Sequence, residues 1–202
     1  MQRTLIQSRL TIPVHYDFAS TICCVAHRVL ERMRNDLDAL GVVLEWRPLD
    51  LVGLTGWRRG TVVEGPRREN ALRVAAELEV ALSMPAVWLD SRPAHLVALE
   101  LAGTSHEAAW RERVWSAVFE EGRDIGAAGE VERLADDLGL ASRLPNLHDF
   151  SRLDAVTEAA REAEVTGVPT FHVGFPLGGI QEPATMLLLF QRWVDKQARR
   201  RD

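Results

Sequence analysis

The fold is decided by the stretch Tyr16-Asp17-Phe18-Ala19-Ser20-Thr21-Ile22-Cys23, because the hydrophobic period changes within it. Residues 12–18 alternate loosely between apolar and polar side chains, which predicts a strand. From residue 21 to residue 40, apolar side chains recur at steps of three and four, which predicts a helix that ends at Gly41. Residues 42–49 alternate again. The order of strand, helix and strand is that of a right-handed parallel crossover unit.

The middle of the chain reads as helical. Residues 52–65 contain four glycines and little periodicity, which predicts a loop. Between residues 66 and 150 every convincing periodic run has the helical period. We therefore expect a helical insertion over residues 65–150.

The last quarter of the chain predicts a return to mixed structure. A helix over residues 153–164 precedes a strand entered through Pro169. Gly178-Gly179 is expected to form a turn, Ile180 to begin a short edge strand, and residues 183–197 to form an amphipathic helix. The predicted fold is α/β, with a frame in two parts, residues 12–64 and 151–202, split by the all-helical insertion.

Composition limits the function classes. The 202 residues carry 29 acidic and 24 basic side chains, a net charge of −5, and both signs are mixed along the chain, which argues against nucleic acid as a partner. The one basic cluster, Arg199-Arg200-Arg201, is expected to fray into solvent. The N-terminus lacks the apolar core of a secretory signal peptide, and no run is long enough to span a membrane. We expect a soluble, cytoplasmic protein without a disulfide framework, since the two cysteines, Cys23 and Cys24, are adjacent.

Several stretches, in this order, resemble the DsbA branch of the thioredoxin fold. The segment around Asp17-Phe18 is similar to the family's active-site segment, where Asp-Phe and one further residue precede Cys-Pro-x-Cys or Ser-Pro-Tyr-Ser. The other similar stretches are residues 45–51, residues 90–102, Gly167-Val168-Pro169-Thr170-Phe171 and Gly179-Ile180-Gln181. Residues 90–102 resemble the insertion of FrnE-like oxidoreductases and hydroxychromene carboxylate isomerases, and Gly167 to Phe171 resemble the cis-proline loop. The resemblance implies a thioredoxin fold.

The chain departs from the family at the motif itself. Ser20 stands where the first cysteine is usual, Thr21 where proline is usual, and Cys23 alone keeps a sulfur. Disulfide exchange needs one thiolate to attack and a second thiol to resolve. The resemblance therefore implies that dithiol redox activity is lost.

Ser20 resembles the serine of kappa-class glutathione transferases and hydroxychromene carboxylate isomerases, in which the thiolate belongs to bound glutathione. The resemblance implies that Ser20 and Cys23 are the catalytic residues. Thr21, Ile22, Val168 and Pro169 would then bind glutathione or another low-molecular-weight thiol, which reacts with an electrophilic small-molecule substrate. A homodimer is a further expectation from the kappa-class resemblance.

Cys23 and Cys24 leave an alternative open. Either could act as a monothiol redox residue at the helix N-terminus if it were exposed, but free cysteines are more often buried. His27 is three and four residues beyond these sulfurs and could support one of them, although we interpret it as a partly exposed helix histidine. Adjacent cysteines lack the spacing of a metal site, so no metal is expected. A third hypothesis is a catalytically inactive peptide-binding or dimerisation module built on the Pro169 loop.

Overall fold

A computed structural model describes residues 9–200 of the chain. The prediction that no signal peptide is present rests partly on residues 1–8, which lie outside this range. Arg201 of the basic cluster also lies outside it. Four strands form one mixed sheet in the order β2-β1-β3-β4. The strands are β1 (Leu10–Tyr16), β2 (Val42–Pro48), β3 (Thr170–His172) and β4 (Pro176–Gly178). β1 pairs with β2 in parallel and with β3 antiparallel, and β4 pairs antiparallel with β3.

The predicted crossover from β1 to β2 is confirmed, but its helix is divided. Helix α1 (Thr21–Arg32) and helix α2 (Arg34–Ala39) are separated at Met33, whose φ of −89° and ψ of 6° leave the helical region. The bend keeps both Met33 and Leu37 buried. Gly41 ends the crossover with a φ of +67°, as expected of a glycine after a helix.

The insertion is helical, as predicted. Its helices are α4 (Gly65–Glu77), α5 (Arg92–Leu101), α6 (Glu107–Phe119) and α7 (Glu130–Asp137), followed by a 3-10 turn at Ala141–Arg143; before them comes the short helix α3 (Leu51–Thr55). The prediction of a loop from residue 52 was wrong over α3. Asp50 caps this helix by accepting the Val52 N–H at 3.2 Å, and five residues are too few to show a helical period in the sequence.

The C-terminal part contains helix α8 (Ser151–Glu162), the hairpin of β3 and β4, and helix α9 (Pro183–Ala198). The prediction of a turn at Gly178-Gly179 and a strand from Ile180 was wrong. The hairpin turns earlier, at Gly174, whose φ of +86° suits glycine. β4 begins at Pro176, and its position at the sheet edge tolerates a proline.

The two faces of β1 have different surroundings. Ile12, Val14 and Tyr16 are buried in the core that contains α1, and the insertion adds Trp110 and Trp115 to the same core. Because side chains alternate along a strand, His15 points to the opposite face of the sheet. Among the helices of residues 9–200, none is long and apolar enough to cross a membrane.

Candidate functional site

Ser20 lies at the mouth of helix α1 and is its N-cap. Its backbone is extended, with a φ of −84° and a ψ of 113°, and its Oγ accepts a hydrogen bond from the Cys23 N–H at 3.4 Å. Because the Ser20 oxygen is the acceptor in this bond, its O–H remains a donor, which can point either to the Cys23 sulfur or to a ligand. Ser20 is 6% exposed. The first-turn N–H groups of a helix and the positive end of its dipole favour an anion at this position.

Cys23 and Cys24 lie behind Ser20 and are not at the surface. They are 0% and 2% exposed, and neither is in a disulfide. Burial raises the pKa of the Cys23 thiol strongly, and hydrogen bonds to the Ser20 hydroxyl and the Asp17 backbone offset only part of this effect. Burial also raises the pKa of Cys24, to about 12, against the opposing effect of Arg28. Both sulfurs are therefore neutral thiols at pH 7.

Thr21 and Ile22 form the first turn of α1. Thr21 is 5% exposed and Ile22 is half-buried against the core. Ile22 therefore presents the larger surface of the pair, and Thr21 is about as accessible as Ser20.

The Val168-Pro169 loop lies at the same edge of the sheet as Ser20. The antiparallel register pairs His15 with Thr170, so the start of β3 runs beside the end of β1. The Val168-Pro169 peptide bond is cis. The Pro169 carbonyl accepts the Gly179 N–H at 2.8 Å. Among residues 9–200, the N–H and carbonyl of Val168 have no hydrogen-bond partner, so both can pair with an extended ligand.

The structure adds Asp17, whose role the sequence did not indicate. This carboxylate is fully buried. Its Oδ1 accepts from the Ala19 N–H at 2.8 Å and from the Ser91 hydroxyl at 2.7 Å, and its Oδ2 accepts from the Leu51 N–H at 2.8 Å. Burial raises the pKa of Asp17, but hydrogen bonds from His95, Ser91 and Leu51 outweigh it and leave the pKa below its usual value. Asp17 is thus a buried anion that holds three loops together.

His95 completes this polar group from helix α5. Its Nε2 lies 3.3 Å from Asp17 Oδ1, and its ring stacks on Phe18 with centroids 4.9 Å apart. The sequence contained both parts of this Asp17–Ser91–His95 group as separate features, the Asp-Phe pair and the stretch from Ser91 to His95. Nothing in their spacing showed that they meet.

His27 is buried, so its interpretation as a partly exposed histidine was wrong. It is 2% exposed, its Nε2 lies 2.8 Å from Glu112 Oε2, and its ring lies 4.7 Å from that of Trp115. Helix α6 covers the face of α1 that carries His27, and the period of α1 alone could not show this neighbour. His27 is therefore packed between α1 and α6, beside the Glu112 carboxylate.

No group of three or more His, Cys, Asp or Glu side chains within residues 9–200 is arranged to hold a metal ion. The candidate site consists of a hydroxyl, backbone N–H and carbonyl groups, and buried thiols. The hydroxyl and the N–H groups can donate hydrogen bonds to a thiolate.

Comparison with known proteins gives consistent matches over most of the chain. The family profile described as DSBA-like thioredoxin domain matches residues 11–187. The uncharacterized protein YwbO of Bacillus subtilis (strain 168) is 27% identical over 180 residues, which cover 81% of this chain and 86% of YwbO.

Two solved structures show the same fold at low sequence identity. A 2-hydroxychromene-2-carboxylate isomerase superposes with a TM-score of 0.72 at 20% identity, covering 95% of this chain and 98% of the isomerase. The cytosolic disulfide reductase DsbM from Pseudomonas aeruginosa, solved with GSH, superposes with a TM-score of 0.62 at 19% identity and the same coverage of 95% and 98%.

Proposed function

Because this chain belongs to the family of DSBA-like thioredoxin domains, we propose that it binds glutathione or another small thiol at Ser20 and catalyses transferase- or isomerase-type chemistry. The second substrate is an electrophilic small molecule. Dithiol exchange is not the reaction, because the position of the attacking sulfur holds a hydroxyl.

The observation that carries this proposal is the position of the Ser20 hydroxyl. It caps a twelve-residue helix and receives the Cys23 N–H, so it can donate its own proton to an incoming thiolate. A hydrogen bond to a charged acceptor, together with the helix dipole, lowers the pKa of the bound thiol. Bound glutathione would supply the nucleophile, while Ser20 holds the sulfur as a thiolate.

The Val168-Pro169 loop supports the same proposal. The Val168 N–H and carbonyl form a donor and acceptor pair of the kind that an extended peptide backbone satisfies. Glutathione has such a backbone. Ile22 adds an apolar contact at the helix mouth. That DsbM, of the same fold, has been solved with GSH is consistent with a thiol ligand here.

The monothiol hypothesis is less well supported. A reactive cysteine needs exposure and a lowered pKa, whereas Cys23 is fully buried with a raised pKa. We propose that Cys23 packs behind Ser20 and positions it through the helix turn. Two free thiols without a disulfide suit a reducing compartment, and we propose a cytoplasmic location on that ground.

The experiment that tests the proposal is calorimetric titration with glutathione, mycothiol and bacillithiol at up to millimolar concentration. We expect at least one to bind, with the pKa of its thiol lowered as measured by thiolate absorbance near 240 nm. Ser20→Ala should weaken binding by about tenfold to a hundredfold, since a hydrogen bond to a charged group contributes about 1.5–3 kcal/mol.

The matched control is Ser142→Ala, at an exposed serine of the 3-10 turn, which should bind as the wild type does. If none of the three thiols binds, the proposal is wrong. Peptide binding that persists in Ser20→Ala and Cys23→Ala would instead favour the inactive binding module.

A further inference from the structure

A large cleft opens on the face of the sheet away from α1. Its volume is about 870 Å³, within the range of small-molecule sites. Strands β1 and β2 form one wall, and helices α5 and α8 contribute Leu99, Val156 and Ala159 to the other. Ser20 is not part of its lining. The cleft is therefore separate from the candidate thiol site.

Two histidines lie in this cleft with unpaired nitrogens. His15 on β1 is 6% exposed, and its ring centroid lies 5.0 Å from that of His172 on β3. Within residues 9–200, His15 Nδ1 and His172 Nε2 are buried and have no hydrogen-bond partner. An unpaired N–H is costly to bury, so the proton of each neutral ring belongs on its other nitrogen. His15 Nε2 and His172 Nδ1 are then the N–H donors.

Three charged groups line the cleft, Glu45, Arg47 and Glu107, and each is partly engaged within the chain. Glu45 accepts from Arg47 through both carboxylate oxygens, at 3.0 and 2.9 Å. Glu107 accepts from the Gly103 N–H at 2.8 Å and from Arg111 at 3.0 Å. Arg47 has five N–H groups and uses only two of them on Glu45. The remaining Arg47 N–H groups and the two histidine N–H groups can therefore donate to an acceptor-rich group on a ligand.

We propose that this cleft binds an apolar molecule bearing one carboxylate, which accepts hydrogen bonds from His15, His172 and Arg47 while its apolar body packs against Leu99 and Val156. The proposal does not rest on the thiol function. Burial, followed by the neighbouring His172 and Arg47, lowers the pKa of His15 to about 4, against the opposing effect of Glu45. The negative charge of a bound carboxylate would raise that pKa, so binding near pH 5 should take up a proton.

The test uses three probes that share one apolar body: 2-naphthoate, 2-naphthalenemethanol and 2-naphthylmethylamine. Titrations followed by calorimetry should show 2-naphthoate binding at least tenfold more tightly than the alcohol, with the amine weakest. His15→Phe and His172→Phe should each weaken 2-naphthoate at least fivefold. The exposed His148, outside the cleft, gives the matched control His148→Phe, which should bind as the wild type does.

A second variant tests the cleft through an exposed residue, because replacing the buried His15 could also disturb folding. Ala159 is exposed on α8 and faces the cleft, so Ala159→Trp should fill it and abolish binding without disturbing the core. Ser20→Ala should leave 2-naphthoate affinity unchanged, and His15→Phe should leave thiol binding unchanged. Equal binding of the alcohol and the carboxylate would overturn the proposal, as would the absence of binding by any probe. A dimer in ultracentrifugation that becomes monomeric in Ala159→Trp would show that a second copy of the chain covers the cleft instead.

Discussion

The Ser91 hydroxyl donates a hydrogen bond of 2.7 Å to Asp17 Oδ1, which joins the helical insertion to the loop that carries Ser20. Both residues are buried, so water cannot replace this bond if it is lost. We expect Ser91→Ala to lower the free energy of unfolding by about 2 kcal/mol, the usual contribution of a hydrogen bond to a charged group. Urea unfolding at pH 7 measures this loss, and Ser142→Ala should show none.

The same pair makes a prediction about pH. The pKa of Asp17 is lowered in the folded protein, so its ionisation stabilises the fold above about pH 4 and this contribution is lost as the pH falls further. Because Ser91 helps to lower the pKa, the stability difference between the wild type and Ser91→Ala should shrink as the folded protein takes up a proton at Asp17, below the ordinary pKa of an aspartate. A difference that increases as the pH falls would contradict the role of Asp17 as an anion.

Alkylation should distinguish the two thiols from a redox-active cysteine. Burial raises the pKa of both cysteines, that of Cys24 to about 12, so we expect iodoacetamide to react slowly with the folded protein at pH 7. Mass spectrometry should show both sites modified rapidly in urea. Rapid alkylation of Cys23 in the folded protein below pH 7 would revive the monothiol hypothesis.

Restoring the missing sulfur should restore redox chemistry. Ser20→Cys places a thiol at the N-cap of α1, where the dipole stabilises a thiolate, and Cys23 is within hydrogen-bonding reach of that side chain. We expect this variant to form a disulfide between positions 20 and 23 and, with dithiothreitol supplied as the reductant, to catalyse the reduction of insulin. The double variant with Cys23→Ala is the control and should not turn over. Failure of the bridge to form under oxidising conditions would show that the geometry at position 23 is unsuitable.

His15 should link stability to pH in a different range. Its pKa is about 4 in the folded chain against 6.5 for an ordinary histidine, so the unfolded chain takes up a proton first as the pH falls. The free energy of unfolding that neutral His15 contributes above pH 6.5 should decline as the pH falls from 6.5 to 4, by at most about 1.4 kcal/mol per pH unit. In His15→Phe the free energy of unfolding should fall less steeply with decreasing pH. In His148→Phe the part of the slope that comes from His15 should remain. Urea unfolding across this pH range provides the measurement.

Local patterns predicted most of the frame. The change of period at Ser20 placed the end of β1 and the start of α1, and the sequence around Pro169 placed the start of β3. Both depend on residues that are neighbours in the chain. The division at Met33 and the short helix α3 were missed because neither changes the hydrophobic period enough to be visible.

Contacts between distant segments could not be predicted in this way. The Asp17–Ser91 bond spans 74 residues, and the burial of His27 depends on Trp115 of another helix. The cleft beside His15 depends on where helix α8 lies relative to the sheet, which no pattern within α8 specifies. Those parts of the candidate sites needed the tertiary structure.

Asp17 also limits how this chain can be recombined with its relatives. A chimaera that keeps the frame but takes its insertion from another protein would leave a buried carboxylate without Ser91 and His95, unless the donor insertion supplies equivalent groups. Replacing Asp17 together with the insertion avoids that penalty. For protein engineering, the exchangeable unit is therefore the insertion plus one residue of the frame.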